Sequence, residues 1–228
     1  MKPERIILIR HGESEGNVDH NIYNEKPDYQ LQLTSKGKMQ ALKAGNRLKS
    51  LLEDQSIFFY VSPYWRTRET FKNIVTFFAR NSFKHQEDPR IREQEWGHLR
   101  SLDDSKQQNE QRDNYGTFYY RLPDGESGAD VYDRMATFFE SIHRDFQKED
   151  FPENCVIVTH GMAIRLFLMK WFHWTVEEFE DMRNPGNCDM IVLKKTSRGK
   201  YELETRIEKY DYTNKPGYKI KNHNPLIL

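Results

Sequence analysis

Two histidine–glycine pairs stand at the ends of apolar runs. Arg10-His11-Gly12 follows Ile6-Ile7-Leu8-Ile9, and His160-Gly161 follows Val156-Ile157-Val158. A neutral imidazole is a nucleophile or a proton carrier, according to what its second ring nitrogen is bonded to. The segment RHGESEGN at 10–17 surrounds the first histidine with groups suited to an anion. Arg10 offers a planar fork of donors that matches phosphate, and Gly12 and Gly16 let the backbone approach a ligand or turn sharply. Glu13, Ser14 and Asn17 can orient neighbours, and Ser14 and Asn17 can also donate to an anion. SPYWRTRET at 62–70 adds Arg66 and Arg68. Two positions apart, they do not share a helix face, so one can enter a pocket while the other pairs at the surface. RIREQEWGHL at 90–99 adds Glu93, with Trp96 and Gly97 nearby. A carboxyl group in a partly covered pocket can keep its proton long enough to act as a general acid. On local sequence alone Glu93 reads more readily as an ion-pair partner of one of the adjacent arginines, and His160 reads also as a satisfied histidine at a strand end.

These groups need elements that bring them together. Residues 4–10 and 57–62 read as buried strands, and residues 31–52 as a helix with Thr34 at its N-cap. Residues 65–80 read as a second helix, packed through Phe71, Ile74, Val75 and Phe78. The order βαβα argues for a parallel sheet with right-handed crossovers. In such a sheet ligands bind beyond the carboxyl ends of the strands, where both His–Gly pairs lie. Val131, Met135, Phe138, Phe139, Ile142 and Phe146 recur three or four apart, the stripe of an amphipathic helix over 129–148. A strand at 155–159, helices near 162–172 and 176–182, a strand at 189–193 and an edge strand within 201–210 complete the pattern. The stretch 100–126 differs: DDSKQQNEQRDN has no apolar residue, and Tyr115, Phe118, Tyr119 and Tyr120 follow. It reads as an insertion over the sheet. The expectation is one α/β domain over 1–228, a three-layer α/β/α sandwich around a mostly parallel sheet, with an active-site-covering insertion at about 100–126 and a polar extension from about 211.

Bulk properties exclude several classes. Hydrophobic residues make up 36% and charged residues 31% of 228, while 14 Phe, 12 Tyr and 4 Trp supply core bulk. With 35 basic and 35 acidic residues there is no net field to attract nucleic acid or a membrane surface. The opening MKPERIILIRHG has only a four-residue apolar stretch and reads as neither a signal peptide nor a membrane span, so a cytoplasmic protein is expected. Cys155 and Cys188 show no metal-ligand spacing and read as small buried residues in a reducing compartment.

With these residues in view, the chain resembles the histidine phosphatase superfamily, the phosphoglycerate-mutase-like family. Arg10-His11-Gly12 matches the family signature after the first strand, and Asn17 the asparagine that contacts phosphate. The family pattern puts the second phosphate-binding arginine four residues after the serine of SPYWRTRET, which selects Arg66 over Arg68. Glu93, ahead of Trp96-Gly97, falls at the proton donor, and His160 at the second histidine. The segments IREQEWG, PDGESGAD, FLMKWF and NPGN look like a eukaryotic mutase-like branch of poorly defined substrate, in which some members are linked to acid phosphatase activity. The resemblance implies phosphomonoester hydrolysis through a phosphohistidine on His11. Arg10, Arg66, Asn17 and His160 would hold the phosphoryl oxygens and Glu93 would protonate the leaving group, with no metal and no cofactor. A phosphoglycerate-type mutase and a catalytically silent phosphate-ligand binding protein are the alternatives. Arg100, Arg112 and Arg121 lack the adjacent-arginine pattern of true mutases, which favours a phosphatase, and they are expected to contact substrate from the insertion. The substrate is expected to be a small phosphorylated metabolite or phosphoester. Its identity and the oligomeric state are not legible.

Overall fold

Alternation along β1 (Arg5–Arg10) sets the layering. Ile7 and Ile9 turn to one face of the sheet and pack with Ala41, Leu48 and Phe71, from α2 (Ser35–Leu52) and α3 (Trp65–Ile74). Ile6 and Leu8 turn to the other and pack with Phe138, Ile142, Ile164 and Phe167, from α5 (Gly128–Asp145) and α6 (Gly161–Phe172). Both faces of the sheet are thus covered, as a parallel sheet requires. The computed structural model describes residues 3–97 and 102–210.

The sheet has six strands, in the order β3-β2-β4-β1-β5-β6. The strands β2 (Ile57–Val61), β3 (Phe83–Glu87) and β4 (Asn154–Thr159) run parallel to β1. β5 (Met190–Lys195) is antiparallel to β1, and β6 (Tyr201–Leu203) is antiparallel to β5. This is the expected three-layer, mostly parallel arrangement. Thr34 caps α2, accepting from the Gly37 amide at 3.0 Å.

Several elements differ from the sequence expectation. β3 has no counterpart in it: FKHQE is an edge strand whose outer residues are exposed, so it carries no apolar alternation. The helix read over 65–80 ends at Ile74 and tightens into a 3₁₀ turn, Val75–Phe77. The edge strand within 201–210 is only Tyr201–Leu203. On α2, Met39 is 55% exposed and lies off the buried face made by Ala41, Ala44, Leu48 and Leu52. The whole apolar-free stretch lies in α4 (Leu102–Tyr115), a helix without an apolar face in which Lys, Gln, Glu and Arg offset the weaker helix formers Asp, Asn and Ser. After it the chain returns to the body through Phe118, which packs with Val131, Leu166 and Phe179, the last from α7 (Val176–Asp181). The extension from 211 and Arg100 lie outside the described residues.

Candidate active site

Parallel pairing of β1 with β4 places Arg10 opposite Thr159, so the next residues, His11 and His160, leave neighbouring strands side by side. The His11 amide donates to the Thr159 carbonyl at 2.9 Å, and the imidazole centroids are 5.2 Å apart. Both rings are buried. His11 Nδ1 lies 2.7 Å from the Gly12 carbonyl. A carbonyl only accepts, so Nδ1 carries the hydrogen and Nε2 keeps its lone pair. The loop that fixes this tautomer is itself fixed. Gly12 donates to Thr70 Oγ1 at 3.0 Å, and a Cβ at Gly12 would come within 2.5 Å of the Gly37 carbonyl. Only glycine lets the loop lie this close to the start of α2. His160 Nε2 pairs with Ser62 Oγ at 2.7 Å, while its Nδ1 is a buried nitrogen with no partner.

The two arginines of SPYWRTRET separate as the helix geometry requires. Arg68 is on the surface, 40% exposed, and forks onto Glu87 at 2.7 and 2.6 Å. Arg66 is 5% exposed, stacks on Tyr64 and donates to the Asp28 side chain at 2.8 Å and to the Asp28 carbonyl at 2.8 Å. Arg10 is held through Nη1 by the Pro185 carbonyl at 2.6 Å, and its buried Nε has no partner. Asn17 Oδ1 accepts from the Ser14 amide and from Asn187 Nδ2, both at 3.1 Å; Asn187 also donates to the His11 carbonyl at 3.1 Å.

Glu93 sits on a clamped segment. Arg134, from α5, donates to the carbonyls of Arg90 (2.6 Å), Arg92 (3.0 Å) and Glu93 (2.9 Å) and pairs with Glu126 at 3.0 Å. Thr159 Oγ1 donates to the Ile91 carbonyl at 2.6 Å, which ties the same segment to the end of β4. Gly97 has φ +70°, and a Cβ there would meet the Pro123 carbonyl.

Arg10, His11, Asn17, Arg66 and Glu93 line one pocket of about 190 Å³, and His160 lies against His11 behind its wall. Burial, then the charges of Arg66 and Arg10, push the His11 pKa well below its usual 6.5, against the opposing pull of the Gly12 hydrogen bond. Burial, Arg66 and His11 do the same to His160. Burial raises the Glu93 pKa above its usual 4.5, although Arg66 and Arg10 draw it back. The pocket thus combines a neutral imidazole with a free lone pair, two guanidinium groups and a carboxyl group inclined to hold its proton.

Of the insertion arginines, the two among the described residues, Arg112 and Arg121, do not form its wall. Arg112 lies 4.9 Å over the Trp96 ring and donates to Gln94 Oε1 at 3.2 Å; it backs a pocket residue without lining the pocket. Arg121 turns away to Asp130 at 2.5 Å, because the capping carboxylate of α5 is within its reach. Instead α4 contributes Gln108 and Asn109 to the lining. Sequence reasoning assigned no part to Asp28 or Gln108, which carry no motif of their own, and gave Asn184 and Asn187 no role beyond their place in NPGN. Among the described residues, no group of three His, Cys, Asp or Glu side chains is placed to hold a metal ion, and no helix is long and apolar enough to cross a membrane.

Residues 6–207 match the family model of the histidine phosphatase superfamily (branch 1). The chain belongs to the histidine phosphatase superfamily. Among its relatives, the phosphoglycerate mutase-like protein AT74 of Arabidopsis thaliana is 44% identical over 216 residues, covering 89% of this chain and 68% of the relative. The broad-range acid phosphatase DET1 of Saccharomyces cerevisiae is 30% identical, covering 92% of this chain and 91% of the yeast protein. Among solved structures, a mycobacterial glucosyl-3-phosphoglycerate phosphatase in complex with VO3 superposes with TM-score 0.70 at 19% identity, over 91% of this chain and all of that one. At that identity the likeness speaks for the histidine phosphatase fold alone. The superfamily and these relatives make the protein an enzyme of phosphoryl chemistry.

Proposed function

We propose that the protein hydrolyses phosphomonoesters through a phosphohistidine formed on His11. The observation that carries this reading is the 2.7 Å contact of His11 Nδ1 with the Gly12 carbonyl, which leaves Nε2 as the free nucleophile in a pocket flanked by Arg10 and Arg66. In the first step the Nε2 lone pair forms the N–P bond as the ester P–O bond breaks. Glu93 gives its proton to the departing alkoxide. The phosphorylated ring becomes cationic, and its Nδ1–H bond to Gly12 strengthens as it does. In the second step Glu93 carboxylate takes a proton from water, the oxygen attacks phosphorus, and the N–P bond breaks to return neutral His11 and inorganic phosphate.

The equatorial oxygens gather negative charge in both steps; Arg10 Nε and His160 Nδ1, which have no partner in the fold, are available to them, and Arg66, whose fork is held by Asp28, adds its charge at the pocket wall. With its Nε2 accepting from the Ser62 hydroxyl, His160 is a neutral Nδ1–H donor. Arg10 and Arg66 supply the positive charge that a metal supplies in other phosphatases, so a chelator is expected to leave the rate unchanged. Steady-state phosphate release from p-nitrophenyl phosphate tests the reading. His11→Asn is expected to lose at least ~10²-fold in kcat with its fold intact. A variant that keeps its rate would refute it.

A further inference from the structure

Besides the phosphate cradle, the pocket has lining of one chemical kind. Trp96, Gln108 and Asn109 supply it, while Tyr23, beside Gly16, and Asn184, beside Gly161, stand against the two His–Gly loops. Among the described residues it holds no lysine or arginine. Arg10 and Arg66 belong to the phosphate end, Arg112 lies behind the Trp96 ring, and Arg121 is bound to Asp130. Once Glu93 has given up its proton, the formal charge that these described residues add beside a leaving group is negative.

Gln108 sharpens the point. Its Oε1 is buried and has no hydrogen-bond partner. A buried carbonyl oxygen left unpaired is costly, and it is satisfied by a donor. A carboxylate only accepts, so it pairs here only if the amide turns to present Nε2. A hydroxyl donates to Oε1. Beside Gln108, Trp96 offers a flat ring whose orientation is fixed by the Arg112 guanidinium stacked at 4.9 Å. Such a face suits the C–H side of a sugar ring or the carbon chain of a polyol, while the amide of Asn109 suits its hydroxyls. The size agrees: about 190 Å³ in all falls below the roughly 300–1,000 Å³ of sites that enclose drug-sized ligands.

We infer that the substrates are phosphate monoesters of small, neutral, polyhydroxylated groups, a monosaccharide or short polyol monophosphate, selected by Gln108 and Trp96 and not by cationic contacts. This rests on the phosphomonoesterase reading of His11. It runs against the expectation that Arg112 and Arg121 contact the substrate, and it separates this pocket from one built for a carboxylate-bearing phosphoglycerate.

Glycerol 3-phosphate and 3-phosphoglycerate form a matched pair, since one has a hydroxymethyl group where the other has a carboxylate. Their kcat/KM values would be measured on the full chain, with glucose 6-phosphate, fructose 1,6-bisphosphate and p-nitrophenyl phosphate alongside. Glycerol 3-phosphate and glucose 6-phosphate are expected to exceed 3-phosphoglycerate and the bisphosphate by about tenfold or more, the scale of one satisfied against one opposed hydrogen bond. Gln108→Met keeps the side-chain length and the helix. It is expected to reduce the ratio of glycerol 3-phosphate to p-nitrophenyl phosphate turnover about tenfold. Gln108→Lys is expected to shift the matched pair toward 3-phosphoglycerate. Equal or better use of 3-phosphoglycerate by the wild type, or a ratio that neither variant moves, would overturn the inference and leave the phosphatase reading standing. Absence of phosphate release from every ester, p-nitrophenyl phosphate included, would overturn that reading and the inference with it.

Discussion

At His11, the Nδ1–H bond to Gly12 and the burial beside Arg10 and Arg66 act on one property, the availability of the Nε2 lone pair. With its pKa pushed well below 6.5, the ring stays neutral at pH values where an exposed histidine would be protonated. Glu93 moves the other way, above 4.5, and must be protonated for the first step. The profile of kcat/KM against pH should therefore lose its acid limb to His11 protonation and its alkaline limb to Glu93 ionisation. In Glu93→Gln, kcat should fall by about 10²–10⁴-fold and the alkaline limb should disappear; pH–rate profiles of the two proteins check this. The arginines should divide as their surroundings do. Arg66→Ala is expected to cost about 3 kcal/mol in transition-state stabilisation, and Arg68→Ala less than ~1 kcal/mol, because its exposed pair with Glu87 stabilises little. Parallel kcat/KM measurements on both variants decide it. The placement of Arg66 and Arg68 on different sides of α3 was legible from their spacing. Asp28, which grips Arg66, was not, because it lies in a short turn with no periodic pattern.

Elements with strong apolar periodicity were legible in the sequence, and those that owe their shape to tertiary contacts were not. β1, β4, α2 and α5 each carry a buried run or stripe, and their expected ends fall within a few residues of the observed ones. β3 and α4 have exposed or polar faces, so nothing in their composition distinguishes strand or helix from loop. The segment that carries Glu93 is a third case. It has no regular structure beyond the turn Pro89–Ile91 and is shaped by Arg134 and Glu126 from elsewhere in the chain. Arg134→Met should leave the carbonyls of Arg90, Arg92 and Glu93 without this donor and the Glu126 carboxylate without one of its two arginines. Breaking a largely buried pair of this kind costs about 3–5 kcal/mol. Urea unfolding should record that loss, and the alkaline limb of the pH–rate profile should move as Glu93 loses its setting. An unchanged midpoint and profile would show that Arg134 does not hold the segment.

For the molecule as a whole, the same buried histidines link catalysis to stability. His11 and His160 have folded-state pKa values depressed below about 6.5, their value in an unfolded chain. Above that pH they are neutral in both states. As pH falls, the unfolded chain takes up protons that the folded protein does not, so stability is lost on the acid side and kept above it. Thermal midpoints of the ligand-free protein should drop between about pH 6.5 and 5, and saturating inorganic phosphate should raise them through a stabilisation of about 2.7 kcal/mol at a hundredfold excess over Kd. Melting curves across that range, with and without phosphate, check both signs. The measurement that bears most directly on the enzyme's chemistry is a rapid-quench experiment with a ³²P-labelled monoester. The expected result is an acid-labile, alkali-stable phosphoprotein that appears within the first turnover, maps to His11 and is absent in His11→Asn. Label recovered on His160 or Ser14, or turnover with no phosphoprotein at any time, would contradict it.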